Sequence, residues 1–381
     1  MTITALIVAA GKGERLGGGT PKQFRTLSGK SVLRWAVEAL VQHPAIKTTR
    51  VVVGPGQHPQ AAEALAGIDV GELIEGGASR AESVRNGLVA IEGDAVLVHD
   101  AARPFCPTDV VDRLIARLEF FEGAAPVLPV SDTIAKASEI LGEPVDRNGL
   151  VRVQTPQAFR LDGLRRAYAN WSRAEAPTDE TTVLREAGMK VAMVAGDRAL
   201  EKITTVEDFE RAEQWLESRM VPRTGMGFDV HAFSGEGPIM MGGIEIPHSR
   251  GLAGHSDADV VLHALTDALL GAAGFGDIGQ HFPPSDPQWK GVSSDIFLRH
   301  AVDLLRSNGA IIDHMDCTVI AEEPKVGPHR SAMRARVAEI AGLGLDQVSI
   351  KATTTESLGF TGRREGIAAQ AVASIRMTPI K

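Results

Sequence analysis

The chain has 381 residues, 44% apolar and 23% charged, with a net charge of −8; this implies two or three globular domains and argues against a nonspecific nucleic-acid binder, though not against small anionic ligands. Two cysteines, Cys106 and Cys317, exclude a disulfide scaffold and fit a reducing, cytoplasmic setting. No apolar run approaches the roughly 20 residues of a membrane helix, and Met1-Thr2-Ile3-Thr4 lacks the basic start of a signal peptide.

Residues 1–220 predict alternating strands and helices. The apolar run 3–9, ending in Gly11, reads as a strand buried on both faces. Ser31 can cap a helix with Leu33, Ala36, Val37, Leu40 and Val41 inward. A strand at 51–53, a helix at 79–91, a strand at 95–99, a helix at 109–121 and an extended segment at 124–130 follow. Such alternation predicts a mostly parallel sheet with helical crossovers. The polar stretch 131–159, with Pro144 and Pro156, reads as a protruding arm. The sheet resumes at 190–195, and Thr205-Val-Glu-Asp208 forms a capping box for a helix to about 218.

A short boundary at 219–224 separates a second αβ unit, residues 224–381. It predicts a hairpin at 238–247, helices at 257–271, 294–308 and 328–341, and strands at 310–321, 348–352 and 367–377. Eight of the 11 histidines fall after residue 224, so a metal is sought there.

In the first unit a glycine-rich loop follows the first strand: Ala9-Ala10-Gly11-Lys12-Gly13-Glu14-Arg15, then Pro21-Lys22-Gln23. It is not a P-loop, because Phe24 stands where Gly29-Lys30-Ser31 needs the first glycine. Nor is it a dinucleotide fingerprint, because Leu16 replaces the third glycine. Small residues let backbone N–H groups approach a triphosphate, and Arg15 and Lys22 can neutralise charge on an attacked phosphate. The alternative is a tight turn with solvated cations. Asp100, in His99-Asp100-Ala101-Ala102-Arg103-Pro104, ends a buried strand where αβ sheets bind ligands, and could hold magnesium or cap the next helix.

These motifs, with Gly76-Gly77-x-x-Arg80-x-x-Ser83-Val84, Val145-Asp146-Arg147-Asn148-Gly149-Leu150 and Thr155-Pro156-Gln157, resemble 2-C-methyl-D-erythritol 4-phosphate cytidylyltransferase over about residues 3–218. The resemblance implies a Rossmann-like nucleotidyltransferase fold with a β-arm, and attack of the substrate phosphate on the α-phosphate of CTP. It implies that Arg15, Lys22 and Lys202 are catalytic. Ala9, Ala10, Gly11, Gly77 and Ser83 would contact the nucleotide. Asp100 would bind Mg2+ or Mn2+, and Thr133, Arg147 and Thr178 the methylerythritol phosphate. The family's arm reaches across a dimer. Where the family often has Asn-Ile before the third cation, this chain has Leu200-Glu201, a negative charge beside Lys202.

In the second unit, Asp229 and His231 lie two apart and share a strand face. His263 follows Asp259 by four on a helix, with Asp257 a candidate cap. Asp229, His231 and His263 suit a zinc ion with an open position. The alternative is a capping Asp with polar surface histidines, and Asp259 is either a ligand or an orienter of His263. His281, His300, His314 and His329 read as structural or exposed. Thr353-Thr354-Thr355-Glu356 offers hydroxyls for phosphate and a carboxylate for Mg2+ or Mn2+, or is simply a β-strand run.

Phe228-Asp229-Val230-His231, His255-Ser256-Asp257-x-Asp259 through His263, Gly276-Asp277-Ile278-Gly279 and Ala352 through Arg363 resemble 2-C-methyl-D-erythritol 2,4-cyclodiphosphate synthase over about residues 224–378. The resemblance implies a trimeric α/β synthase that expels CMP from a diphosphocytidyl substrate. Zinc would sit on Asp229, His231 and His263. His255, Asp277 and Gly279 would meet the erythritol part, and catalytic Thr354 with Glu356 the diphosphate and a second metal. Residues 321–325, including Ala321 and Lys325, would bind the cytidine end with Thr353. Phe228, Phe360 and Arg363 would line a central cavity. The family's Asp after Phe282-Pro283 is Pro284 here, so its contact is lost or supplied by Asp286.

Together these imply a bifunctional enzyme of the non-mevalonate route, with CTP, methylerythritol phosphate and its diphosphocytidyl phosphate as small-molecule partners. It would act without nucleic acid or membrane, beside a separate kinase that supplies the intervening step. A dimeric arm and a trimeric domain combine by symmetry into a hexamer. The alternatives are a sugar-nucleotide pyrophosphorylase fused to a zinc phosphodiesterase, or a non-catalytic scaffold with degenerate sites.

Overall fold

The computed structural model describes residues 1–11, 19–137, 139–173, 175–283, 285–289 and 291–378. The chain divides into two units, Met1–Glu213 and Gln214–Lys381.

In the first unit, β1 (Ile3–Ala9) is buried between two parallel neighbours, as its apolar pattern requires. A small hairpin of β2 (Thr26–Leu27) and β3 (Lys30–Ser31) leads into α1 (Val32–Val41). Ser31 Oγ caps α1 by accepting from Arg34 N at 3.1 Å. Then come β4 (Ile46–Val53), α2 (His58–Ala64), β5 (Ile74–Glu75), α3 (Arg80–Val89), β6 (Ala95–Asp100), α4 (Thr108–Arg117) and β7 (Gly123–Pro129). An exposed hairpin, β8 (Ile134–Ala137) and β9 (Leu141–Val145), stands apart from the sheet. β10 (Val151–Val153), β11 (Gln157–Arg160), α5 (Leu161–Ala169), α6 (Glu180–Glu186), β12 (Val191–Ala195) and α7 (Val206–Glu217) complete the series, with the division between units falling inside α7. The capping box of α7 is formed: Asp208 N donates to Thr205 Oγ1 at 3.3 Å, and Thr205 N to Asp208 Oδ2 at 3.0 Å.

Among the described residues the sheet order is β10-β7-β11-β6-β1-β4-β5, with β12 parallel to β7. β6, β1, β4 and β5 are mutually parallel. β11 runs antiparallel between β6 and β7. The arm expected over 131–159 therefore protrudes only in its first half. β10 and β11 belong to the sheet, and Phe159 is wholly buried. Polar residues concealed this, because hydrogen bonds let them go inside. Gln154 Nε2 donates to Asp197 O at 2.8 Å, and Gln157 Nε2 to Asp179 Oδ2 at 2.9 Å. Helices α2, α5 and α6 carry no expectation from sequence; they have 7, 9 and 7 residues, too few to display a period.

In the second unit, β13 (Val221–Ser234) takes in most of the expected boundary, Val221 pairing with Met377. β14 (Ile239–Met241) and β15 (Ile244–Ile246) form the expected hairpin. β16 (Gly251–Leu252), α8 (Val260–Ala273), α9 (Ile278–His281), α10 (Asp295–Ser307), β17 (Ile311–Ile320), α11 (Arg330–Ala341), β18 (Val348–Thr353), α12 (Gly359–Gly362) and β19 (Gly366–Met377) follow. The sheet order is β16-β13-β19-β17-β18.

The cap of α8 is Asp259, not Asp257. Asp259 Oδ1 accepts from Val261 N and Leu262 N, each at 3.1 Å, and from Gly242 N at 2.8 Å; Oδ2 accepts from Gly243 N at 2.7 Å. Four donors let this carboxylate go fully inside. α8 lies on β13 at backbone contact. A Cβ on Gly227 would stand 2.0 Å from Ala264 O, and one on Gly225 2.2 Å from Ala268 O. Only glycine permits this approach. Gly227→Ala is expected to destabilise the second unit by roughly 3 kcal/mol, since the clash is with backbone. Gly271→Ala, inside α8 with nothing within 4 Å of its Cβ, serves as the control and is expected to gain up to about 1 kcal/mol. Denaturant titration of both variants checks it.

Candidate active sites

The C-terminal ends of β1, β4 and β6 open on one edge of the first sheet, where αβ folds place ligands. Ala9 ends β1, and Ala10 and Gly11 follow; Arg15 lies outside the described residues. Gln23, which sequence left without a role, is buried and donates through Nε2 to Ala9 O and Gly11 O, both at 2.8 Å. It holds the entry to the glycine loop. Next to it, Lys22 Nζ donates to Ile203 O at 2.9 Å. A Cβ on Gly76 would stand 2.6 Å from Ala10 Cβ and 2.8 Å from Ser83 Oγ, so the 76–83 turn packs against Ala10. Ser83 Oγ donates to Ser79 O at 2.8 Å and accepts from Gly77 N at 3.1 Å.

Asp100, at the end of β6, gathers cations. Its Oδ2 accepts from Lys202 Nζ at 2.7 Å and its Oδ1 from Arg80 Nε at 3.0 Å, with Arg103 Nε 4.0 Å away. Burial alone would raise its pKa, but Arg80 and Lys202 hold the carboxyl well below the ordinary range. Both oxygens are thus engaged, and a magnesium ion on Asp100 would share or displace these partners. Glu201 points elsewhere: its Oε1 pairs with Arg152 Nη1 at 3.5 Å. The negative charge beside Lys202 in sequence is not beside its ammonium in space.

Thr133 and Arg147 lie on the exposed arm, where Arg147 Nη1 donates to Ser131 O. Thr178 Oγ1 meets Thr182 Oγ1 at 3.3 Å before α6. No described contact joins these three to Asp100.

In the second unit, alternation along β13 turns Asp229 and His231 toward α8 while Met226, Phe228 and Val230 face outward and exposed. His263, on the first turn of α8, meets them. Asp229 Oδ2 is 2.9 Å from His263 Nδ1 and 3.0 Å from His231 Nε2, and these nitrogens are 3.2 Å apart. Among the described residues this is the group of three able to hold a metal ion; Glu356 and Asp259 are not in it. The donors fit zinc, whose bonds of about 2.0–2.2 Å hold tetrahedral ligand atoms roughly 3.4 Å apart.

The outer nitrogens are also fixed. His231 Nδ1 donates to Ala253 O at 2.7 Å. His263 Nε2 donates to Ser294 Oγ at 2.8 Å, with Ser256 Oγ at 3.1 Å, and Ser294 Oγ donates onward to Asp257. With a metal bound, each ring would thereby present a lone pair to the centre. Burial opposes charge on both groups. Even so, hydrogen bonds from the two histidines hold Asp229 well below the carboxylate range, and the bond to Asp229 raises His231.

Gly254 brings the His255 loop near: a Cβ there would be 3.3 Å from His231 Cε1. Asp277 caps α9, accepting from Gln280 N at 2.9 Å beside exposed Gly279. The two remote segments 321–325 and 353–357 join, since Ala321 N donates to Thr353 O at 3.1 Å and Glu322 Oε1 accepts from Thr355 N and Ser357 N at 3.3 Å. Lys325 is exposed. Thr354 Oγ1 donates to Glu356 Oε1 at 3.0 Å, and Glu356 has a left-handed φ of 52°. Phe360 is exposed, and Arg363 Nε pairs with Glu365 at 2.8 Å. His281 and His300 pair at 3.2 Å in an aromatic cluster with Phe282. Pro284 lies outside the described residues, and Asp286 Oδ1 accepts from Gln288 N at 3.1 Å.

The family model for 2-C-methyl-D-erythritol 4-phosphate cytidylyltransferase matches residues 3–218, and that of the YgbB family residues 222–376. A bifunctional enzyme IspD/IspF of Rhizorhabdus wittichii is 56% identical over 379 residues, covering 100% of this chain and 99% of its own. This chain belongs to the bifunctional IspD/IspF family. A relative of that description in Maricaulis maris is 50% identical, covering 99% and 100%. The solved bifunctional IspDF from Campylobacter jejuni is 32% identical with a TM-score of 0.52, covering 99% of each chain. The IspD/IspF chain is a bifunctional enzyme of isoprenoid-precursor synthesis, with cytidylyltransferase and cyclodiphosphate synthase halves.

Beside Asp100, burial holds the His99 imidazole neutral, down to about 4. Its Nε2 donates to Arg103 O at 2.9 Å. An unfolded histidine takes up its proton near 6.5, so acid favours the unfolded state. Stability of the first unit is expected to fall between pH 6.5 and 4, by about 3 kcal/mol at most from this group, and its contribution to level off below. Imidazole NMR titration checks it, with the His99 midpoint expected near 4.

Proposed function

We propose that residues 1–220 transfer CMP from CTP to 2-C-methyl-D-erythritol 4-phosphate. Residues 224–381 cyclise 4-diphosphocytidyl-2-C-methyl-D-erythritol 2-phosphate to the 2,4-cyclodiphosphate. In the first reaction a phosphate oxygen of the acceptor attacks the α-phosphorus of CTP, the bond to the bridging oxygen breaks, and pyrophosphate leaves with the electron pair. In the second the 2-phosphate attacks the β-phosphorus, and CMP leaves.

In the first site Arg15, Lys22 and Lys202 brace charge building on the α-phosphate. Ala9, Ala10, Gly11, Gly77 and Ser83 contact the nucleotide; Thr133, Arg147 and Thr178 hold the acceptor. Asp100 would hold a magnesium or manganese ion, which supplies positive charge to the triphosphate. In the second site Asp229, His231 and His263 would hold zinc, which supplies Lewis-acid polarisation of a phosphate oxygen. Thr354 and Glu356 serve the diphosphate and a second metal. His255, Asp277 and Gly279 meet the erythritol part; residues 321–325 and Thr353 take the cytidine end.

One observation carries most of this reading: Asp229 Oδ2, His231 Nε2 and His263 Nδ1 converge while Ala253 and Ser294 hold the outer nitrogens. The exposed Met226, Phe228 and Val230 on β13, with Val372 on β19, support a trimer-based homo-oligomer, with Phe228, Phe360 and Arg363 around its axis. The paired arm then makes a hexamer. We assign the enzyme to the cytoplasm; among the described residues no helix is long and apolar enough to cross a membrane.

Lys22→Ala is expected to lower cytidylyl transfer on the order of 100-fold or more while the synthase keeps its rate. His263→Ala should do the reverse and lose bound zinc, read by elemental analysis and CMP release. Methylerythritol phosphate with CTP should yield no cyclodiphosphate until a kinase and ATP are added, and direct conversion would overturn the assignment. A hexose phosphate accepted while methylerythritol phosphate is refused would overturn the substrate.

A further inference from the structure

The cations on Asp100 belong to a longer chain of charge. Arg80 gives only Nε to Asp100 Oδ1, at 3.0 Å. Its other two nitrogens are taken: Nη1 donates to Glu180 Oε1 at 2.8 Å and Nη2 to Glu180 Oε2 at 3.0 Å. Glu180 opens α6, has no exposed surface, and accepts also from the Tyr168 hydroxyl at 3.0 Å. In space the order is Tyr168, Glu180, Arg80, Asp100, Lys202.

A carboxylate with no access to water is costly unless paired. Its pairing here has a consequence for Asp100. A guanidinium facing a single carboxylate prefers to grip it through two nitrogens at once. With the fork of Arg80 occupied by Glu180, Asp100 keeps Oδ2 for Lys202. Without Glu180, Arg80 can turn its fork on Asp100. Lys202, a point charge on a flexible stem with its side chain 36% exposed, then loses its anchor to water.

We infer that Glu180 is a positioning residue for cytidylyl transfer: by occupying the fork of Arg80 it leaves Asp100 free to hold the Lys202 ammonium at the triphosphate site. This rests on the assignment of Lys202 as a phosphate-handling cation.

The test is a double-mutant cycle in the full chain: Glu180→Gln, Lys202→Ala, and both together. Glu180→Gln keeps the shape and removes the charge. Its kcat for transfer is expected to fall about 10- to 100-fold, with KM for CTP changed less than about 3-fold. The double variant should be no slower than Lys202→Ala, because both remove one interaction. A crystal structure of Glu180→Gln should show Arg80 gripping Asp100 with Lys202 released. Losses that multiply, an unchanged kcat in Glu180→Gln, or Lys202 still seated on Asp100 would each overturn the inference. If Glu180→Gln does not fold, Glu180→Asp, whose carboxylate stops one methylene short of the Arg80 fork, replaces it in the same cycle and is judged by the same three outcomes. An unchanged rate in Lys202→Ala alone would instead overturn the assignment of Lys202.

Discussion

A carboxylate that must be matched by nitrogen donors organises each half of this enzyme. Asp100 sits at the end of a buried strand, with Lys202 at 2.7 Å and Arg80 at 3.0 Å. Asp229 holds His263 at 2.9 Å and His231 at 3.0 Å. Burial opposes the charge on both carboxylates, and these partners restore it. The partners in turn are held together by the same attraction.

The fold supplies the rigidity this needs. In the first unit the parallel strands β1, β4 and β6 end on one edge, and Gln23 pins the turn that leaves β1. In the second, α8 rests on Gly225 and Gly227 at backbone contact, with its cap Asp259 bonded to four N–H groups. Any shift of α8 would move His263 away from Asp229. Packing and the geometry of the candidate metal site are therefore one constraint there, because the small residues that admit the helix also set the distance between His263 and Asp229.

Much of this was legible from local pattern. Apolar runs marked β1 and β6, Ser31 and Thr205 marked helix starts, and the spacing of Asp229 to His231 placed both on one face of a strand. Pattern failed where polar residues enter the core on the strength of hydrogen bonds. Gln154 and Gln157 give β10 and β11 the polar pattern of an arm, and Asp257 has the sequence position of a cap while Asp259 has the donors. Glu180 and Tyr168 could not be found at all, since Glu180 lies 100 residues from Arg80 and carries no spacing signal.

The amino-acid sequence alone determined the periodicity of the elements, the chemical types at each site and the kinship of both halves, because these are properties of neighbouring residues and their order. Tertiary structure alone decided which charges meet: that Lys202 turns to Asp100 while Glu201 turns to Arg152, and that His263 is braced by Ser294. The physical reason is range. Hydrogen bonds and ion pairs act over about 3 Å, so partners distant in the chain can be matched only after the backbone has brought them together.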